Sequence, residues 1–193
     1  MSSVADRLRV IEADLLADPP RISVYHDLPS AIFRYAPAEE WAVRRELRLL
    51  ATRLSKGGKT ARFIRLSDLL WQAVEETEGL EAVEELERDR GYTAAQEQLT
   101  TYLSDRDWMP LWELVGDRLD ALDPRNDVAF LTRAAAMAPG IYHMSKLLDQ
   151  MQGRTRVTTI LCYPGVLEGA TGLRFMDLRD RDALGNYRVK IYG

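Results

Sequence analysis

Two short strings in this sequence have residue types that could act on phosphates or transfer a hydride. Residues 55–60, SKGGKT, end in the Gly-Lys-Thr of a P-loop, but Arg53 stands where that motif needs its first glycine. The string also ends a predicted helix and opens a predicted strand, whereas a P-loop opens a helix. Tyr142 and Lys146 have the spacing of a dehydrogenase Tyr/Lys pair, yet no glycine lies between Met1 and Ser55 to bind a nucleotide. Neither string therefore predicts a phosphate-binding site or a hydride-transfer site.

The metal-ligating and nucleophilic residues are few and scattered. His26 and His143 are the only histidines, and neither has a second ligand at metal-binding spacing. Cys162 lies in an apolar run without a polarising neighbour, which predicts an unreactive thiol in the core. Asp177, Asp180 and Asp182 alternate with arginines, a pattern typical of a solvated loop with weak surface ion pairs. We therefore predict no catalytic residues, no metal and no cofactor, and expect the protein not to be an enzyme.

One predicted turn lies where α/β proteins bind ligands, but its residues do not indicate the chemical class of the ligand. Tyr163-Pro164-Gly165 follows an apolar run that predicts a central strand, and we expect a turn there, followed by a flexible loop over residues 164–173. Open α/β sheets bind ligands beyond the carboxyl ends of their strands. A degenerate nucleotide-binding crevice at this turn is thus one hypothesis.

A further signal in the sequence is the segregation of charge. Residues 44–65 hold eight basic residues and one acid, whereas residues 75–90 hold eight acids and two basic residues. Such asymmetry can direct docking to a charged protein or to a phosphate backbone. A solvated helix face and internal pairing of the two segments are equally open. The basic set of candidate contact residues is Arg44, Arg45, Arg48, Arg53, Arg62 and Arg65. The acidic set is Glu81, Glu84, Glu85 and Glu87.

Hydrophobic periodicity predicts the elements that carry these residues. Helical patterns cover about 3–17, 39–57, 67–74, 75–90, 92–103 and 109–122. Residues from Ile141 to Met151 form the apolar face of one further helix. Ser67 is the expected N-cap of the third helix. Strands are predicted at 31–35, 60–66, 127–131, 157–163 and 187–192, the last at an edge with 173–178 as its candidate partner. This alternation predicts one three-layer α/β domain over residues 1–193, with a mostly parallel central sheet of about five strands flanked by helices.

Length and composition limit the class of protein. The 193 residues carry a net charge of −4, with 46% hydrophobic and 29% charged residues, which are ordinary values for a globular domain. The apolar runs are too short to cross a membrane, and the N-terminus lacks a signal-peptide pattern. With a single cysteine, these features predict a cytoplasmic protein.

Seven stretches of the sequence are characteristic when taken together: PRIS at 20–23, AIFRY at 31–35, LATRL at 50–54, DVAFLTRAAA at 127–136, MSKLLDQMQGRTRV at 144–157, CYPG at 162–165 and NYRVKIYG at 186–193. This set resembles the BrxB family of bacteriophage-exclusion (BREX) systems. The resemblance implies a small core component of a defence system that methylates host DNA and blocks phage replication. It implies other BREX proteins as partners: PglZ above all, then the large ATPase or the methyltransferase. It supplies no catalytic residues to carry over.

The first hypothesis is therefore a non-catalytic adaptor that binds another BREX component, with PglZ as the expected partner. The second is a nucleic-acid-binding accessory protein that uses the basic segment 44–65. The third is the degenerate nucleotide-binding domain described above.

Overall fold

The computed structural model describes residues 2–22, 29–168, 172–178 and 189–193 and shows a six-stranded sheet covered by helices on both faces. The strands are β1 (Ser30–Tyr35), β2 (Thr60–Arg65), β3 (Asp127–Thr132), β4 (Thr158–Glu168), β5 (Gly172–Phe175) and β6 (Lys190–Tyr192). The helices are α1 (Val4–Leu15), α2 (Glu40–Lys56), α3 (Leu66–Glu76), α4 (Gly79–Arg90), α5 (Tyr92–Ser104), α6 (Leu111–Asp120) and α7 (Met144–Met151).

Five of the strands run parallel, in the order β2-β3-β4-β1-β6. β4 lies at the centre of this order. Its residues 159–165 are therefore buried, as expected for a parallel strand between two helical layers. β5 pairs antiparallel with the far half of β4 and adds the sixth strand. The predicted class, an α/β domain with a mostly parallel central sheet, is confirmed.

The alternation of side chains along the strands divides the core into two layers. Phe33, Phe130 and Ile160 point to one face, where the apolar stripes of α1 and α2 cover them. Ile32 and Leu131 point to the other face, against α3, α6 and α7. A smaller cluster, outside this second layer, joins α4 and α5 through Val83, Ala95 and Tyr102. No helix in the described ranges has the length and apolarity needed to cross a bilayer.

Three sequence-based expectations about the last strands are wrong. β4 does not stop at Pro164-Gly165 but continues through both residues to Glu168, so no turn forms there. The stretch predicted as the 164–173 loop is instead largely the hairpin of β4 and β5, of which residues 169–171 lie outside the described residues. β6 does take an edge position, but it pairs with β1, in parallel, and not with 173–178. Alternation indicates which face a residue takes, not which strand lies beside it.

Two helix starts also differ from the prediction. β2 runs directly into α3, so Arg65 takes the N-cap position; Ser67 lies in the first turn, where its hydroxyl donates to Asp68, 3.0 Å away. The helix after β3 begins only at Met144, because Pro139-Gly140 interrupts the chain after a short 3-10 helix. Ile141, which precedes α7, is still buried in the same core layer.

Candidate functional site

A basic groove lies where α2 passes the edge strand β2, at the carboxyl ends of β2 and β3. Its volume is about 220 Å³. We call it the arginine groove and define it by its lining residues: Arg44, Leu47, Arg48, Phe63, Arg65, Thr132 and Arg133. The carboxyl edge of a parallel sheet is where α/β proteins place their ligands.

The apolar floor of the groove follows from the edge position of β2. Side chains alternate along this strand, so Ile64 enters the core beneath α3 while Phe63 and Arg65 face α2. Phe63 packs against Phe130 of β3, with ring centroids 5.7 Å apart. Since β2 pairs with β3 alone among the described strands, the ring stays 40% exposed. Leu47, on the buried stripe of α2, completes the floor.

Positive charge exceeds negative charge around this floor. Arg44 forms an ion pair with Glu40 at 2.7 Å, and its guanidinium lies 4.7 Å from the centroid of the Trp41 ring. Asp68 is shared by Arg65, at 3.1 Å, and Arg133, at 3.9 Å.

Arg48 is the least compensated of these arginines. It is exposed on α2 and forms no ion pair with any residue in the described parts of the chain. Four guanidinium groups thus meet two carboxylates, which leaves a net positive groove suited to an anion.

Arg133 is a groove residue that the sequence-based reasoning did not identify. It follows β3 directly and has left-handed backbone angles, φ 58° and ψ 35°. Such a conformation is costly for a residue other than glycine, and such strained residues cluster at functional sites. The available signal was its place two residues after the strand predicted at 127–131.

The rest of the basic set lies elsewhere. Arg53 forms an ion pair with Glu12 of α1 at 2.6 Å, and Arg45 with its neighbour Glu46 at 3.2 Å. Arg62 points to the opposite face of the sheet and pairs with Asp127 at 2.9 Å. The structure thus brings Arg44, Arg48 and Arg65 together and separates the other three.

Asp127 is part of a network at the amino end of β3. Burial alone would raise its pKa, but hydrogen bonds from the backbone N–H of Asp123 and from Arg62 hold the pKa below its ordinary value. Arg62 therefore serves the stability of the sheet end.

The acidic set forms an exposed face on α4, in the outer part of the opposite helical layer. All four carboxylates are exposed, and none forms an ion pair with another described residue. Leu80, which is also exposed, lies on the same helical stripe as Glu84 and Glu87, since these positions are separated by four and three residues. No ion pair within the described ranges joins residues 44–65 to residues 75–90, so internal pairing of the two segments is not observed.

None of the remaining candidates from the sequence that the structure describes lines the arginine groove. Tyr163, Pro164 and Gly165 are buried inside β4, and the Tyr163 hydroxyl donates to the carbonyl of Leu173 at 3.3 Å. Tyr142 is buried beside the exposed Lys146. His26, Asp180 and Asp182 lie outside the described residues. Among those that are described, no three His, Cys, Asp or Glu side chains form a cluster that could hold a metal.

Cys162 is buried in β4. Its burial, with a smaller effect from the Glu40 charge, raises the pKa of the thiol far above its ordinary value. The side chain therefore packs as a small apolar residue, as the sequence predicts.

Comparison with known protein families identifies what the chain is similar to. The family model described as "BREX protein BrxB" matches residues 62–191, which is more than half of the chain. The matched range includes most of β2, the acidic face of α4 and Arg133, whereas α1, β1 and α2 precede it. No curated protein and no solved structure matches the chain.

Proposed function

Since this chain belongs to the family of BREX protein BrxB and is therefore a component of a BREX defence system, we propose that it acts there as a non-catalytic adaptor. In this role it binds another protein of the system through an exposed surface. Its expected partner is PglZ, with the ATPase or the methyltransferase as the alternatives, and its expected compartment is the cytoplasm. The family match is the observation that carries the proposal.

The face of α4 is the best-suited docking surface for that partner. Its four carboxylates have no internal counter-charge among the described residues, so a basic partner would meet them without first breaking an ion pair. Exposed Leu80 on the same stripe adds an apolar contact of the kind that interface cores contain. α4 also lies inside the range matched by the family model.

Co-purification from cells that carry the whole operon tests this function. Tagged protein is isolated with and without nuclease, and the bound proteins are identified by mass spectrometry. We expect a stoichiometric BREX protein, PglZ first, that survives nuclease treatment. Failure to recover any BREX component would exclude the adaptor role.

A pair of charge-reversal variants then tests the surface. Glu84→Lys with Glu87→Lys should reduce partner recovery, and the reduction should be larger at low salt because screening is then weakest. Glu113→Lys with Asp117→Lys on α6 is the matched control, since both residues are exposed and form no ion pair in the described structure. Equal loss in both double variants would exclude α4 as the docking surface.

A further inference from the structure

The arginine groove has the composition of a nucleic-acid site, separate from the acidic face of α4. We propose that it binds the backbone and one unstacked base of a single-stranded nucleic acid. In this arrangement Arg48, Arg65 and Arg133 contact phosphates, and the exposed ring of Phe63 supports the base. The proposal does not depend on the adaptor role, because the two surfaces lie on opposite sides of the sheet.

The arginines match phosphate in number and geometry. A guanidinium presents a planar fork of N–H donors that binds phosphate oxygens in pairs. Arg48 has no competing carboxylate among the described residues, and Arg65 and Arg133 share the single carboxylate of Asp68. A phosphate that binds these arginines therefore displaces few existing ion pairs.

The aromatic side chains distinguish a nucleic acid from an acidic protein segment. The Phe63 ring forms the floor of the groove and is 40% exposed, while Trp41, beneath the Arg44 guanidinium, is 77% exposed. Exposed aromatic rings interleaved with arginines serve proteins that stack successive bases while tracking the backbone. An acidic peptide would use the charges but leave the exposed side of the Phe63 ring without a planar partner.

The same rings favour a single strand over a duplex. Bases inside a duplex stack on one another, so a side chain reaches their faces only where the stack is opened. A groove of about 220 Å³ accommodates one unstacked base and its phosphate, not the width of a double helix. The ligand class is thus a flexible strand with accessible bases.

Fluorescence anisotropy on the full chain tests this assignment, with labelled oligo-dT of about 12 nucleotides as the probe, a length within known single-strand site sizes. We expect binding that weakens with salt. Arg48→Glu should weaken it at least ~10-fold and reduce the salt slope by about 0.7, the value for one phosphate contact. Phe63→Leu, which keeps an apolar side chain over Phe130 but removes the ring, should weaken it roughly 5- to 100-fold.

The matched control is Arg88→Glu on α4, because Arg88 is likewise an exposed helical arginine without an ion pair in the described structure. It makes the same change in net charge and should leave binding unchanged. Melting temperatures of all variants establish that they are folded.

Four outcomes would overturn the proposal. The first is no binding of oligo-dT at low salt, and the second is an equal loss of affinity in Arg88→Glu and Arg48→Glu. The third is a duplex of the same length that binds as tightly as the single strand. The fourth is displacement of the probe by polyglutamate as effectively as by unlabelled oligo-dT. The last two would assign the groove to a duplex or to an acidic protein segment.

Discussion

Asp14 of α1 accepts a hydrogen bond, 2.7 Å long, from the hydroxyl of Tyr192 in β6, joining the first helix to the last strand of the sheet. The same carboxylate oxygen accepts from Lys190, and Arg21 lies 3.4 Å from the other oxygen. Asp14 is 8% exposed, so these contacts replace nearly all of its water. Within the described residues β6 is three residues long and pairs with β1 alone, and the Asp14 carboxylate supplies a second attachment.

The first prediction concerns this attachment. Asp14→Asn should lower the free energy of unfolding by about 1–3 kcal/mol, because the buried hydroxyl of Tyr192 and the half-buried ammonium of Lys190 lose a charged acceptor. Urea denaturation measures the change. Asp120→Asn, at an exposed position on α6, should change stability by less than about 0.5 kcal/mol. Equal effects of the two substitutions would contradict a structural role for Asp14.

The second prediction is the pH dependence of stability. Burial alone would raise the pKa of Asp14, but the hydrogen bonds from Lys190 and Tyr192 hold the pKa below the ordinary value of 3.8. The pKa of Asp127 is likewise lowered. With a folded pKa below the unfolded one, the unfolded chain binds more protons in acid. The stabilisation is therefore fully present above the unfolded pKa and is lost as the pH falls through the folded value.

Urea denaturation across the acid range measures this dependence. The stability difference between the unchanged protein and Asp14→Asn should be constant from neutral pH down to about pH 5 and shrink below about pH 4. A difference that grows in acid would mean that the carboxylate is destabilising when charged.

The third prediction concerns the hairpin that occupies the carboxyl half of β4. A Cβ on Gly165 would lie 2.3 Å from the backbone carbonyl oxygen of Arg174 in β5 and 2.6 Å from the Tyr163 ring. Gly165→Ala should therefore cost about 1–3 kcal/mol, because the paired backbone must move. Thermal or urea unfolding measures the cost.

Gly116→Ala in α6 is the matched control. A Cβ there meets nothing within 4 Å, and alanine should stabilise the helix by about 0.5–1 kcal/mol. A neutral Gly165→Ala variant would show that β4 and β5 are not paired at this position.

The fourth prediction concerns Cys162. Because the thiol is buried and its pKa is raised, iodoacetamide should not label the folded protein at neutral pH and should label it fully in denaturant. Mass spectrometry of the intact protein reads out the result, with Cys162→Ala as the unlabelled reference. Stoichiometric labelling without denaturant would contradict the burial of this strand.

Features that depend on local sequence were predictable. The alternation of apolar and polar residues placed the strands, and helical spacing placed the buried stripe of α2, because both periodicities follow from backbone geometry alone. The uninterrupted apolar run at 158–162 indicated a central strand, and β4 is central. Composition likewise fixed how much positive charge residues 44–65 carry.

Tertiary contacts decide which of these basic residues are paired within the protein and which line the groove. Arg53 pairs with Glu12, 41 residues away in sequence, and Arg62 pairs with Asp127, 65 residues away. Neither arginine therefore lines the groove. Arg133 joins Arg44 and Arg48 because β3 ends beside the edge strand β2. A sequence pattern sets the face on which a side chain emerges, but only the order of strands decides which distant side chain meets it. The sequence therefore determined the layers and their charges, and the sheet order determined the arginine groove.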